Sequence, residues 1–101
     1  MPASVLRVLP EAALDLFRAE AWYRERSVRA ADGFLVEVGR GLALIREAPE
    51  RWAIFRKGAR RFVLERYPFS ILYRVEGSTI WVIAVAHAKR RPEYWRARRP
   101  Q

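Results

Sequence analysis

The stretch that decides the fold is residues 70–87, SILYRVEGSTIWVIAVAH. It holds two β-prone runs, residues 70–75 and Thr79–His87, separated by Glu76-Gly77, a pair typical of a tight hairpin connection. The second run is apolar at both alternating sets of positions, so we expect a strand that is central or covered by helices. These residues predict an antiparallel hairpin in the middle of a sheet.

Two further strands are predicted outside this hairpin. Residues 60–67 alternate, with Phe62 and Leu64 on one face of the strand. Pro68 then interrupts the strand, because proline lacks the amide proton that a central ladder uses. A short β-prone segment is also present at residues 5–9. The chain is therefore expected to supply four strands.

Two helices are predicted between the first strand and the others. The first covers residues 10–26 and begins with Pro10, a residue favoured in the first helical turn. Ser27 is typical of an N-cap for the second helix, Val28–Glu47. The apolar positions of that helix recur at steps of three and four: Ala31, Phe34, Leu35, Val38, Leu42 and Ile45. The order β-α-α-β-β-β predicts an α+β fold, a helical hairpin packed on a mostly antiparallel four-stranded sheet.

The composition sets the scale of the molecule. A chain of 101 residues with 51% apolar residues suffices for one core, so we expect a single domain, 1–101, with a basic tail from about residue 88. The absence of cysteine excludes disulfides and thiolate zinc sites and favours a cytoplasmic location. The longest apolar run, residues 80–86, is far shorter than the ~20 residues of a membrane span. We therefore expect no membrane partner, and the N-terminus shows no secretory signal.

The net charge of +9 is unevenly distributed. Residues 1–50 hold seven arginines and eight acids, whereas residues 51–101 hold thirteen basic residues and three acids, a net charge of +10. This asymmetry suggests a polyanion or an acidic protein as partner. The alternative is a solvated basic surface in an arginine-rich proteome, since 18 of the 20 cations are arginine.

Cofactor chemistry has little support in the residues. There is one histidine, and the three acids of the basic half are scattered, so we expect no metal site. Neither a phosphate-binding glycine loop nor a G-x-S-x-G nucleophile motif occurs. The sequence therefore predicts no cofactor.

Basic and aromatic residues interleave in the second half of the chain, at Arg51-Trp52, Phe55-Arg56-Lys57, Arg60-Arg61-Phe62 and Tyr94-Trp95-Arg96. Arginine binds phosphate and aromatic rings stack on unpaired bases, so the mixture suits RNA or single-stranded nucleic acid. The alternative is that Trp52 and Phe55 simply cover the edge of the core.

His87 ends the last strand just before a run of cations. Cations disfavour the charged imidazole, which leaves a neutral base, and Tyr94 could serve as a second proton-transfer group. With arginines stabilising the transition state, this combination suits metal-free RNA cleavage through the 2′-hydroxyl. The alternative is a histidine that caps the strand end by hydrogen bonding.

Several motifs together resemble the RelE/ParE toxin superfamily. They are YPFSILYRV at residues 67–75, IAVAHAKRRPEYW at residues 83–95, AALDL at residues 12–16, Trp22-Tyr23, and IREAP at residues 45–49. The resemblance covers residues 5–95, and the superfamily has the β-α-α-β-β-β fold. It implies the toxin of a type II toxin-antitoxin pair, neutralised by a cognate antitoxin with an acidic C-terminal segment.

The superfamily has two activities. RelE-like members cut mRNA in the ribosomal A site without a metal. Their basic residue after the last strand is matched here by Lys89 or Arg90 and their late tyrosine approximately by Tyr94, and Arg74 and His87 could compensate for the groups that are missing. The candidate catalytic residues for this activity are His87, Arg90 and Tyr94. ParE-like members poison DNA gyrase and are not known to need a catalytic residue. The RNA-cleaving branch has a second cation where this chain has Val63 and an arginine where it has Ser70. The resemblance is thus closer to the ParE-like branch, with ribosome-dependent mRNA cleavage as the alternative and a nontoxic RNA-binding module as a third hypothesis.

The expected binding residues are cations of the second half. We expect the target or nucleic acid to contact Arg60, Arg61, Arg74, Lys89, Arg90 and Arg91. The acidic segment of the antitoxin is expected in an apolar groove beside the helices, with its carboxylates on arginines. By resemblance, toxin and antitoxin associate in 2:2 or larger complexes.

Overall fold

The computed structural model describes residues 5–91 and 93–100, and of Glu93 the backbone alone. Residues 1–4, Pro92 and Gln101 lie outside the described residues. They belong to the predicted 1–101 domain, and Pro92 is also part of the motif at residues 83–95. The described elements are β1 (Val5–Val8), α1 (Pro10–Arg24), α2 (Val28–Glu47), β2 (Ile54–Arg56), β3 (Ala59–Val63), β4 (Phe69–Glu76), β5 (Thr79–His87) and α3 (Glu93–Arg96).

The strands form one sheet in the order β1-β5-β4-β3-β2. β1 is parallel to β5, and the other neighbours are antiparallel. The predicted α+β fold with a mostly antiparallel sheet is confirmed, and β4 and β5 form its central hairpin. The predicted count of four strands is one too low in the described chain, because Ile54–Arg56 pairs with β3 as an additional edge strand. Lys57 and Gly58, at φ 52° and 78°, form the left-handed turn between the two strands.

Element boundaries follow local hydrogen bonding. α2 and β5 have the predicted bounds, whereas α1 ends at Arg24, two residues early. β3 ends at Val63 instead of residue 67. The reason lies in Glu37 of α2, whose carboxylate accepts the backbone N–H groups of Glu65 and Arg66 and draws the chain away from the sheet.

The core lies between α2 and one face of the sheet. Phe34, Val38 and Ile45 are buried, as their spacing predicts, whereas Leu35 is exposed on the solvent side of the helix. Gly41 lets α2 approach the sheet closely, since a Cβ atom there would lie 2.8 Å from Cε1 of Phe62. The tyrosine of β4 on this face, Tyr73, donates its hydroxyl to the Pro49 carbonyl at 2.5 Å, just beyond α2.

The tail covers the other face of the sheet. Trp95 of α3 is only 2% exposed, and its ring centroid lies 6.4 Å from that of Phe55 in β2. Arg74 of β4 alternates with Tyr73 and therefore points to this opposite face, where its guanidinium reaches carbonyls of the tail. The sheet is thus covered by the helical hairpin on one side and by the basic tail on the other.

Candidate functional site

A groove of about 610 Å³ runs between α1, the end of β5 and the tail, and we call it the α1–β5 groove. It is lined by Asp15, Arg18, Ala19, Trp22 and Tyr23 of α1, by Pro68 and Phe69, by Val85, His87, Lys89 and Arg90, and by Tyr94 and Arg98 of the tail. Its walls combine exposed aromatic surface with several cations.

The floor of the α1–β5 groove is an edge of β5. β1 pairs with β5 only as far as Val82, so beyond that residue the edge of β5 opposite β4 faces α1 instead of a strand. There Asp15 accepts the Val85 N–H at 3.1 Å, and Arg98 donates to the Ile83 carbonyl at 3.0 Å. Asp15 and Arg98 also form an ion pair at 2.7 Å. The side chains of Asp15 and Arg98 thereby bind the backbone groups that a neighbouring strand would otherwise bind, and their ion pair connects α1 to the tail.

His87 lies half-buried at the end of β5. Its Nδ1 accepts the backbone N–H of Lys89 at 3.0 Å. The imidazole packs edge-on against Phe69, with ring centroids 5.1 Å apart. This hydrogen bond is the one that the strand-capping interpretation of His87 requires, and it occupies one of the two ring nitrogens.

Tyr94 faces the α1–β5 groove from the tail. The Arg90 guanidinium lies 3.9 Å from the ring centroid and that of Arg98 lies 4.8 Å from it. Burial raises the pKa of the phenol to about 12, and Asp15 adds to the rise, while Arg98 and Arg90 oppose it. At neutral pH Tyr94 is therefore a protonated phenol, able to donate a hydrogen bond but poorly suited to act as a base.

The structure brings some predicted site residues together and separates others. His87, Lys89, Arg90 and Tyr94 share the α1–β5 groove, whereas Arg91 is exposed beside it. Arg60 and Arg61 lie on β3, separated from β5 by β4. Arg60 donates to the Trp52 carbonyl at 2.6 Å, and the Arg61 guanidinium stacks on Phe55 at 3.9 Å.

Arg74 departs from the expectation that it belongs to an exposed basic face. It is 8% exposed, and its guanidinium donates to the carbonyls of Lys57, Arg96 and Arg98. Because its donors bind backbone under the tail, Arg74 holds two segments together and does not point into the α1–β5 groove.

Several groove residues were not predicted as site residues. Asp15, Arg18, Trp22 and Arg98 line the α1–β5 groove. The sequence feature that could have indicated this groove lies on α1, whose apolar residues cover more of the helix circumference than a single buried stripe requires. Trp22 is 53% exposed, and Phe17, also on α1, is 67% exposed.

A second groove of about 610 Å³ lies between α2 and the end of β3. Val36, Leu44, Trp52 and Val63 give it apolar walls, and Glu37 and Arg40 add charge.

In the described part of the chain, no group of three or more His, Cys, Asp or Glu side chains could hold a metal ion. No described helix is long and apolar enough to cross a membrane.

Comparisons with known proteins agree with this architecture. A family model described as the ParE toxin of the type II toxin-antitoxin system parDE matches residues 6–92. No curated protein matches the chain. A solved structure of the chromosomal ParDE toxin-antitoxin system from P. aeruginosa aligns with 84% of this chain and 96% of its own, at 21% identity and a TM-score of 0.73, a likeness of fold. The family match covers most of the chain, which therefore belongs to the ParE toxins of type II toxin-antitoxin systems.

Proposed function

We propose that this toxin inhibits DNA gyrase in the cytoplasm and is neutralised by an antitoxin whose acidic segment binds the α1–β5 groove. The observation that carries the gyrase assignment is the ParE family match over residues 6–92, since gyrase inhibition is the role of that family. The toxin acts by binding its target, so no residue of this chain has to perform a chemical step.

The positions of the cations support binding over RNA cleavage. Arg61 is stacked on Phe55, two strands away from His87. Val63 and Ser70 occupy the positions where RNA-cleaving relatives have cations. The pKa of Tyr94 is raised to about 12, so its phenolate, the form that could act as a base, is even scarcer at neutral pH than that of an ordinary tyrosine. These features leave few groups to activate a 2′-hydroxyl.

One observation favours the alternative, a ribosome-dependent endoribonuclease. His87, Arg90 and Tyr94 line the same groove, so an imidazole, a guanidinium and a phenol could reach one phosphodiester. In such a reaction His87 would be the base, through its second ring nitrogen, and Tyr94 the acid.

The α1–β5 groove supports the antitoxin part of the proposal. Trp22 and Phe69 offer apolar surface to an amphipathic segment, and Arg18, Lys89 and Arg90 offer cations to its carboxylates. The segment would lie over the β5 edge beyond Val82, on the side where β1 no longer pairs with β5 and where Asp15 and Arg98 bond the edge.

Growth-arrested cells distinguish the two activities. After induction, we expect double-strand breaks in DNA and intact mRNA, and coexpressed antitoxin should restore growth. His87→Ala and Tyr94→Phe should remain toxic, because neither side chain performs chemistry in a gyrase inhibitor. Loss of toxicity in both variants together with mRNA cuts at A-site codons would identify an endoribonuclease instead.

A further inference from the structure

The β2–β3 turn and the C-terminal tail meet although they are distant in sequence. Arg74 of β4 holds them together. Its guanidinium donates to the Lys57 carbonyl from Nη2 at 3.2 Å and from Nε at 3.4 Å, and to the Arg98 and Arg96 carbonyls at 3.2 Å and 3.5 Å. The turn and the tail therefore have a fixed relative position and enclose an open cleft of about 410 Å³.

This cleft concentrates positive charge. Among the described residues, three cations line it, Lys57, Arg96 and Arg99, together with Ala97. Arg74 lies beneath, and its four hydrogen bonds to described residues all end on carbonyls, so none of them neutralises its charge. The like charges of the lining side chains repel one another, and an anion in the cleft would relieve that repulsion.

The charge of Arg74 is already disfavoured by its surroundings. Burial lowers the pKa of its guanidinium, and Arg99 lowers it further, while Glu76 opposes both. A bound anion would stabilise the charged guanidinium from the open side of the cleft.

The neighbouring aromatic rings are unavailable for stacking. Trp95 of the tail is itself buried, and the guanidinium of Arg61 covers Phe55 at 3.9 Å from the ring centroid. No aromatic side chain is among the described residues that line the cleft. Single strands are held largely by stacking on exposed rings, whereas a duplex presents mainly its phosphates. The cleft therefore suits a duplex better than a single strand.

We propose that the cleft lined by Lys57, Arg96 and Arg99 binds the phosphate backbone of duplex DNA without reading its sequence. The choice of DNA rests on the proposed function, because gyrase holds a DNA duplex when the toxin meets it. The toxin then has two separate surfaces, the α1–β5 groove for the antitoxin and this cleft for the DNA in the gyrase complex.

Fluorescence anisotropy with the full chain tests the proposal. The probes are a labelled duplex of mixed sequence, the corresponding single strand and polyglutamate. We expect the duplex to bind more tightly than either other probe. The double variant Lys57→Gln with Arg99→Gln should bind the duplex about tenfold more weakly, and its slope of log affinity against log salt should fall by about 2, close to 0.9 per lost phosphate contact.

A matched control removes the same charge elsewhere. Arg7 of β1 and Arg29 of α2 are exposed and lie outside the cleft, so Arg7→Gln with Arg29→Gln should change the affinity by less than about twofold. Equal weakening by the two double variants would show that net charge alone attracts DNA and would overturn the proposal. Tighter binding of the single strand, or of polyglutamate, would also overturn it. The single variant Lys57→Gln gives the same test if the double variant does not fold.

A supercoiling assay separates this inference from the proposed function. If the toxin inhibits gyrase while the cleft variant binds duplex like the control, the cleft proposal fails and gyrase inhibition stands. If the cleft variant loses DNA binding while the wild-type toxin leaves gyrase unaffected, the cleft proposal stands and the gyrase assignment fails.

Discussion

Asp15 of α1 and Arg98 of the tail form an ion pair at 2.7 Å, and their side chains are only 12% and 15% exposed. Each residue also forms a hydrogen bond to the edge of β5 that β1 leaves unpaired. Asp15 accepts the Val85 N–H, and Arg98 donates to the Ile83 carbonyl. The pair therefore joins three segments that are far apart in the chain. It also forms the floor of the α1–β5 groove, which depends on the tail being in place.

Removing the charge of Asp15 should destabilise the fold. Asp15→Asn keeps an acceptor for the Val85 N–H but leaves the partly buried Arg98 without its counterion, at a cost of about 2 kcal/mol in the free energy of unfolding. Urea denaturation measures this loss. The control is Glu25→Gln, which breaks the exposed Arg26–Glu25 pair and should change stability by less than about 0.5 kcal/mol. Similar losses in both variants would show that the Asp15–Arg98 pair stabilises the fold no more than the exposed Arg26–Glu25 pair does.

Substitution by alanine at two glycines should change the stability of the fold in opposite directions. Gly58 has φ 78° in the β2–β3 turn, so Gly58→Ala forces a side chain into the left-handed region and should destabilise by about 1 kcal/mol. Gly39 lies within α2 with nothing near its Cβ position, so Gly39→Ala should stabilise by about 1 kcal/mol. Thermal unfolding of the two variants gives both signs, and a stabilising Gly58→Ala would contradict the turn geometry.

Stability should decline in alkali partly through Tyr94. Its folded pKa of about 12 exceeds the ordinary tyrosine pKa of about 10, so between these values the folded state keeps a proton that the unfolded state releases. Stability therefore falls as the pH rises through this window. Tyr94→Phe keeps the ring that contacts Arg90 and removes this loss, so its unfolding free energy should fall less steeply. The pKa values of Tyr23 and Tyr73 are also raised, so part of the decline should persist. Identical pH profiles for wild type and Tyr94→Phe would contradict the assignment.

Antitoxin binding should depend on salt through the cations of the α1–β5 groove. We expect the affinity to fall steeply between about 50 mM and about 500 mM salt, because exposed charges are screened over this range. Lys89→Gln with Arg90→Gln should weaken binding about tenfold at low salt and flatten the dependence. Trp22→Ala should weaken binding at every salt concentration, because it removes apolar contact area. Calorimetric affinities that are independent of salt would show that apolar burial alone holds the antitoxin.

The central elements of the fold were predictable because local signals agree there. The Ser27 cap and the three- and four-residue spacing define α2, and the apolar run of β5 defines the centre of the sheet. β2 was missed because three residues are too few to show an alternating pattern, and its pairing depends on the left-handed turn at Lys57 and Gly58.

The site was harder to predict because it combines distant residues. A single arginine in an alternating strand says nothing about whether a later segment will cover it, so the burial of Arg74 under the tail has no local signal. The contact of Asp15 with Arg98 spans almost the whole chain. By contrast, the clustering of His87, Arg90 and Tyr94 was predictable because all three lie within the short stretch 87–94, which runs from the end of β5 into α3.

The most direct test of the central claim is a gyrase supercoiling and cleavage assay with the purified full chain. We expect inhibition of supercoiling, accumulation of cleaved DNA complexes and relief of both effects by an equimolar amount of antitoxin. His87→Ala and Tyr94→Phe should inhibit as the wild type does. Supercoiling and cleavage that are unaffected by an excess of correctly folded toxin would contradict the account.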